Sequence, residues 1–353
     1  MLLKTVTILF SCFLKRSTSC YLQFDYTVVD GHMKRIYNTE EITVVSHTTA
    51  GVMIKNEYIP TLCCKIFNVK SKLRFISFDN CWINRIEEEC FSEKIENITL
   101  QIDIINNQLW SIKTGTFRNL KVQFISLKSN AIEVIEDRSF LNLTLLEELN
   151  LSFNHLYTFN SEAFVNLLNF GRLNLESNRI ISLQKESLVV FRKDHSVLNI
   201  KCNELTYINR HFLDGMNATN VELHLDENNL MSLPEGIFDY HNFKEINVGK
   251  NPLTNVSKFF CSKNCTVHMF GFSCQGVDEE SVQETVQNIE NWIDENQIIL
   301  YTDGYCTFNK NNSRILSFEW SSCSANTNSE NFDLWIYLKI FIILYNMMWC
   351  NFM

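Results

Sequence analysis

Apolar and polar positions follow a long repeat from about residue 73 to residue 256. Aligned on Cys81, Asn107, Asn130, Asn154, Asn178, Asn203, Asn228 and Asn251, apolar residues stand five and three positions before the aligned residue and two and five after it. Leu149, Leu151, Asn154, Leu156 and Phe159 form one copy, and Leu223, Leu225, Asn228, Leu230 and Leu233 another. Ten positions after the aligned residue, Phe recurs at Phe117, Phe140, Phe164 and Phe238. Ile76, Phe78, Cys81, Ile83, Ile86 and Phe91 obey the same rule. A fixed spacing of 23 to 26 residues between aligned positions is the mark of a solenoid rather than of a single folded core.

Two apolar residues separated by one, such as Leu173 and Leu175, put both side chains on the same face of a short strand, because strand side chains alternate. That face looks inward. The chain then turns, and a buried Asn can satisfy backbone groups of neighbouring coils, so the aligned residues form an internal ladder. Cys81 supplies a small thiol in the same slot. The later Phe fills the outer side of the coil, where the return segment runs as irregular or short helical structure. Eight strands about 4.8 Å apart give a parallel sheet on the order of 38 Å long.

The residue between the two inward positions points out of the sheet. Along the stack it reads Ser77, Asp103, Ser126, Asn150, Asn174, Asn199, His224 and Asn247, a polar row. Flanking positions add Asp79, Lys128, Glu176, Lys201 and Asp226 on one side and Glu148, Arg172, Glu222 and Glu245 on the other. Any wetted sheet face must be polar, yet extended sheet faces are also how solenoids bind. The binding candidates are Asn150, Asn174, Asn199, His224, Asn247, Glu176, Glu222 and Asp226.

The pattern resembles the extracellular leucine-rich repeat family, L-x-x-L-x-L-x-x-N/C-x-L, in its short secreted or surface-anchored form known from insects. The resemblance implies an α/β leucine-rich repeat solenoid, a curved horseshoe with a parallel β-sheet on its concave face and cysteine-stapled caps. Its known roles are adhesion and innate immunity. The expected organisation is a signal peptide at 1–19, an N-terminal cap region at 20–72, about eight repeats at 73–256, a cysteine-containing C-terminal cap at 257–320, and a spacer with a hydrophobic tail at 321–353. The cap disulfides are expected among Cys63, Cys64 and Cys90 at one end and Cys261, Cys265, Cys274 and Cys306 at the other. Four cysteines allow three pairings, which stay open. Within the second cap, Val282, Val286, Ile289 and Ile293 recur at helical spacing and predict one amphipathic helix from about 279 to 294. Residues 20–72 read as a cap hairpin or an ordered lead-in.

The ends carry addresses. Lys4, an apolar run from Thr5 to Leu14 and small residues at Ser17 and Ser19 give the order of a secretory signal peptide, cut before Cys20 or earlier near Cys12. Ser321, Ser322, Cys323 and Ser324 precede the nine residues Ala325–Asp333 and a nearly continuous apolar stretch from Leu334 to Met353. A spacer of roughly 8 to 12 residues suits a glycosylphosphatidylinositol signal, with Ser322 as attachment residue. A single membrane span is the alternative, and there Lys339 would cost about 2.5 to 3.5 kcal/mol.

Composition narrows the function. The 353 residues are 46% hydrophobic and carry a net charge of -9, which disfavours a phosphate-backbone partner and so nucleic acid. Thirteen Cys point to an oxidising compartment. Seven N-x-S/T sequons, at Asn97, Asn142, Asn150, Asn217, Asn255, Asn264 and Asn311, are N-glycosylation candidates there. Cys202, beside Asn203, is a free thiol or an intermolecular link. The eight His fall singly, no glycine-rich phosphate loop is present, and no catalytic residue, metal ligand or cofactor is assigned. A zinc site at Cys261, Cys265, His268 and Cys274 is disfavoured by secretion. The sequence reading is therefore a protein-binding recognition or cell-adhesion module, tethered by a C-terminal lipid anchor or a single span, with an extracellular protein as ligand or receptor and pairing into a homodimer left open. The alternative is a soluble secreted innate-immunity recognition factor; an enzyme inhibitor or enzyme ranks below both.

Overall fold

The computed structural model describes residues 51–253 apart from 57, 63–74, 88–89, 92–98 and 239–240, together with the backbone of strands Tyr26–Val29, Met33–Ile36, Thr266–Phe272, Gln297–Thr302 and Ile315–Ser317. The chain divides into two units, Met1–Trp320 and Ser321–Met353, the second lying wholly outside the described residues.

In the first unit one fourteen-stranded sheet runs along the coils. From Gly51–Lys55 onward each strand lies parallel to the next in chain order, through Phe75–Asp79, Thr99–Ile105, Val122–Ser126, Glu148–Asn150, Arg172–Asn174, Val197–Asn199, Val221–His224 and Phe243–Asn247 to Ile315–Ser317. The register places Ile76, Ile102, Ile125, Leu149, Leu173, Leu198, Leu223 and Ile246 opposite one another. All are buried. This single inward column, repeated two residues on by Phe78, Ile104, Leu127, Leu151, Leu175, Ile200, Leu225 and Val248, is the sheet's half of one continuous core.

The aligned Asn residues tie coil to coil. Asn107 Oδ1 accepts from the amides of Cys81 (2.8 Å) and Ile83 (3.1 Å), while its Nδ2 donates to the carbonyls of Phe78 (2.9 Å) and Ile105 (2.7 Å). Asn154 repeats this, accepting from Ile132 N and donating to Leu127 O and Leu151 O. Asn130, Asn178, Asn203, Asn228 and Asn251 each make the same reach to the preceding coil. Each rung satisfies carbonyls at a turn, where the regular ladder of strand bonds has ended. Just before each rung the chain adopts a left-handed conformation, at Asn80, Asn106, Ser129, Phe153, Ser177, Cys202, Glu227 and Lys250, with φ between 50° and 58°. Only two of these eight are Asn, and none is Gly, so the rungs hold the turn against its steric cost of about 1–2 kcal/mol per residue.

The outer side of the earlier coils is β, not helix, and that of the later coils runs as turns. Short parallel strands at Phe117–Arg118, Phe140–Leu141 and Phe164–Val165 pair with one another, and Phe91 bridges to Phe117. The four rings stack at 5.2, 5.3 and 5.4 Å between centroids. Phe170 and Phe191 extend the aromatic column. Among the described residues the helical content is the 3-10 turn Ser161–Ala163, so the α/β expectation resolves to a parallel β-solenoid. The reason is local: the Phe in each of these return segments stacks best on its neighbours when the segments run straight and in register, which pairs their backbones as strands, whereas Leu188 and Leu213 take its place in later coils.

The sheet also exceeds the span 73–256. Gly51–Lys55 pairs in parallel register with Phe75–Asp79, and Ile54, Ile59 and Leu62 are buried in the common core. An additional coil therefore precedes the repeats read from sequence. Tyr26–Val29 and Met33–Ile36 form an antiparallel hairpin whose first strand pairs with Gly51–Lys55, so a hairpin within 20–72 closes that edge. At the other end Thr266–Phe272, Gln297–Thr302 and Ile315–Ser317 continue the parallel sheet through the region expected to be a cap. The expected helix at 279–294 lies outside the described residues, as do the signal peptide and the hydrophobic tail.

Candidate functional site

The outward residues of the strands stand in one unbroken register: Ser77, Asp103, Ser126, Asn150, Asn174, Asn199, His224 and Asn247 are consecutive partners across seven strand pairs. The next partner of Asn247 is His268. Strand alternation, not any special motif, generates this row.

Its asparagines are tied into their own strands. Asn150 Oδ1 accepts from Ser152 N (2.9 Å) and Ser152 Oγ (2.7 Å). Asn174, Asn199 and Asn247 accept in the same way from the amides of Glu176, Lys201 and Gly249 at 3.0, 3.0 and 3.1 Å. A side-chain carbonyl bonded to the amide two residues on is a local turn device. It explains why Asn recurs here without reference to a ligand, and it leaves the amide nitrogens as the groups the row presents.

The acids of the later coils are accompanied by cations. Glu222 Oε1 lies 2.6 Å from Lys244 Nζ. Lys201 Nζ sits between Asp226 Oδ2 (3.4 Å) and Glu227 Oε1 (3.2 Å), and Lys250 Nζ is 2.9 Å from the same Glu227 oxygen. Glu176 accepts from Asn199 Nδ2 at 3.4 Å. Asp226 is only 7% exposed; burial pushes its carboxyl above the usual aspartate range against the pull of Lys201. Burial works against the charge on Glu227 as well, but Lys250 and Lys201 hold that carboxyl below its ordinary value. At the opposite end, burial raises Asp103, with Asp79 adding to the effect and a hydrogen bond from Gln101 opposing it. The face is thus a mixed-charge lattice rather than a bare acidic groove.

The remaining candidates scatter. Cys202 occupies a left-handed turn with its sulfur 3.1 Å from Glu227 Oε2, and it is disulfide-bonded rather than the free thiol that the sequence left open. Cys90 is buried, its sulfur 3.7 Å from the carbonyl oxygen of Leu62. Cys63, Cys64, Cys261, Cys265, Cys274, Cys306 and Ser322 lie outside the described residues, as do the sequons at Asn97, Asn255, Asn264 and Asn311. Asn142 sits on the outer side, donating to Asn119 Oδ1 and accepting from Asn166 Nδ2, and Asn217 is exposed. Among the described residues no group of three His, Cys, Asp or Glu is placed to hold a metal ion. Sequence reasoning passed over an exposed apolar flank beside the sheet, including Trp110 and Tyr157, whose only signal is position relative to the rungs.

The comparisons agree with this architecture. The model described as Leucine rich repeat matches residues 100–156 and 121–180, and that described as BspA type Leucine rich repeat region (6 copies) matches residues 187–281. No match is found among curated proteins. Among solved structures, the crystal structure of a TLR13–ssRNA13 complex is similar at 18% identity and a TM-score of 0.51, covering 75% of this chain and 37% of that one. The Toll–Spatzle complex of Drosophila is similar at 16% identity and a TM-score of 0.51, covering 67% of this chain and 32% of that one. The chain spans about a third of the length of these structures, and the likeness is one of fold. Asparagine rungs, an in-register sheet and matches to two repeat models together place the chain among the leucine-rich repeat proteins.

Proposed function

We propose that this chain is an extracellular recognition or adhesion module that binds a protein partner across its sheet face, is held at the cell surface by a lipid anchor, and performs no catalysis of its own. The observation that carries the reading is the eight-residue register from Ser77 to Asn247. It offers a long polar surface fixed by backbone pairing, and the asparagines along it are braced by their own strands. Such a surface is pre-organised, which lowers the ordering cost of binding. Of the two similar structures named above, one is the Toll–Spatzle complex and the other a complex of TLR13 with ssRNA13. The net charge of -9 favours a protein here.

The tether rests on the spacer and apolar tail after Ser322, and the compartment on the leader, the cysteines and the sequons; disulfide-stapled caps belong to the same reading. Expressing the full chain in insect cells and treating them with phosphatidylinositol-specific phospholipase C tests it. Release into the medium is the expected result. Retention would favour a membrane span, and protein in the medium before treatment would favour the soluble immune factor. For the face itself, Glu176→Gln, Glu222→Gln and Asp226→Asn combined should weaken partner binding; undiminished binding would remove the charged lattice from the reading.

A further inference from the structure

Beside the sheet the coils from Asn107 to Asn228 expose large apolar side chains in two adjoining rows, Trp110, Tyr157, Ile181 and Met231 three positions past their rungs and Val134 and Tyr207 four past, each between 43% and 66% exposed. They are neighbours in space. Ile181 N donates to Tyr157 O, Thr206 N to Ile181 O and Glu133 N to Trp110 O, so the coils run in step along this flank, with Glu133 and Thr206 in the first row and Val134 and Tyr207 opposite Ser111 and Ser182 in the second. Isolated exposed apolar residues need no explanation, whereas six on one flank, with Lys113 over the Trp110 ring and Arg179 over the Tyr157 ring, have the composition of an interface core.

We propose that this flank pairs with the same flank of a second copy of the chain, the two stacks running antiparallel about a two-fold axis between the coils of Asn154 and Asn178. The choice of partner comes from complementarity. With the axis across the stack, residues at equal distance past their rungs face one another in reversed coil order. Trp110 then meets Met231, Val134 meets Tyr207 and Tyr157 meets Ile181. The exposed Arg210 meets the exposed Asp137, both seven past their rungs. Arg179 meets His155, whose charged form is disfavoured by burial and by Arg179 itself. Glu133 meets Thr206. From one to seven positions past the rungs no like charges face each other. The parallel alternative sets each coil against itself, bringing Glu133 onto Glu133 and Arg179 onto Arg179, a costly juxtaposition. A closed two-fold contact of this kind is self-limiting. The strip measures about 25 Å by about 20 Å, on the order of 500 Å² per copy. That is below the ~800 Å² per partner of standard interfaces, so the dimer is a weak one.

The test is disulfide trapping in cells expressing the full chain, scored on non-reducing gels against the parent chain. Val134→Cys and Tyr207→Cys in one chain cannot bridge internally, because their coils are about 14 Å apart. The expected result is a new covalent dimer from this double variant, with neither single variant producing one. Arg210→Glu on the same background should lower the yield and a further Asp137→Arg should restore it, which separates a lost contact from a lost fold. Absence of the dimer overturns the proposal. So does a dimer from Trp110→Cys alone, which reports parallel pairing, or a Val134/Tyr207 yield indifferent to both charge reversals.

Discussion

The sulfur of Cys81 lies 3.4 Å from the carbonyl oxygen of Ile54, in the slot from which Asn107 Nδ2 reaches Phe78 O at 2.9 Å one coil later. A thiol is a weak donor with one hydrogen, whereas an amide brings two donors and a carbonyl. Cys81 also lies 3.4 Å from Asp79 O, so both carbonyls that an Asn would serve are within its reach. Cys81→Asn is therefore expected to raise stability by about 1 kcal/mol, read as a higher denaturant midpoint at unchanged slope. A lower midpoint would mean that the slot is too tight for an amide.

The interior rungs should be far less tolerant. Asn154 is buried and joins three segments, accepting from Ile132 N and donating to Leu127 O, Leu151 O and Ser152 O. Asn154→Ala leaves those groups buried and unsatisfied, and a loss of about 3 kcal/mol or more is expected in chemical denaturation. A loss under about 1 kcal/mol would show that water replaces the rung.

Phe140 tests the outer column. It is fully buried between Phe117 and Phe164, with centroids at 5.3 and 5.4 Å. Phe140→Ala opens a cavity and removes two stacking contacts, for an expected cost of about 3–5 kcal/mol. Phe140→Leu should recover most of it; equal losses for the two variants would assign the effect to ring stacking rather than to volume.

These rungs and rings were legible because burial imposes a period. Leu149, Leu151, Asn154 and Leu156 must recur wherever a coil packs on a coil, and alternation along the strand then fixes Asn150 as outward-facing. What was not legible lacks a residue preference. The left-handed turn residue is Phe153 in one coil, Cys202 in another and Glu227 in a third, so no composition marks it. The coil at Gly51–Lys55 was missed because Glu57 stands where the rung would fall, although Ile54, Ile59 and Leu62 keep the spacing. The flank through Tyr157 and Ile181 was missed because exposed apolar residues three past a rung read like ordinary turn residues until the stack aligns them.

Asp103 predicts a pH dependence. Its carboxyl is raised chiefly by burial, so its folded value exceeds its unfolded value of about 3.9. A raised acid contributes stability that is fully present below the unfolded value and is lost as pH rises through the folded one. Asp103→Asn removes that loss and still offers Gln101 an acceptor. The variant should melt above the parent at pH 7, and the difference should shrink towards zero near pH 3 in paired thermal scans. A constant difference across that window would mean that titration of Asp103 is not its source.

Asn150 joins the fold to the binding face. Its Oδ1 is held by Ser152 N and Oγ, while its amide nitrogen belongs to a sequon at the centre of the row between Ser126 and Asn174. A glycan there would stand on the sheet and shield several strands on either side, since neighbours are about 4.8 Å apart. Glycopeptide mass spectrometry of insect-cell protein should find Asn150 occupied, and Ser152→Ala should remove that glycan while keeping the bond from the residue 152 amide. A partner docking across the middle of the row should bind the glycan-free protein more tightly, and one confined to the strands from Val197 onward should bind both forms alike. If Asn150 is unoccupied in protein whose Asn217 carries a glycan, the centre of the face is open and docking there is limited by its charges alone.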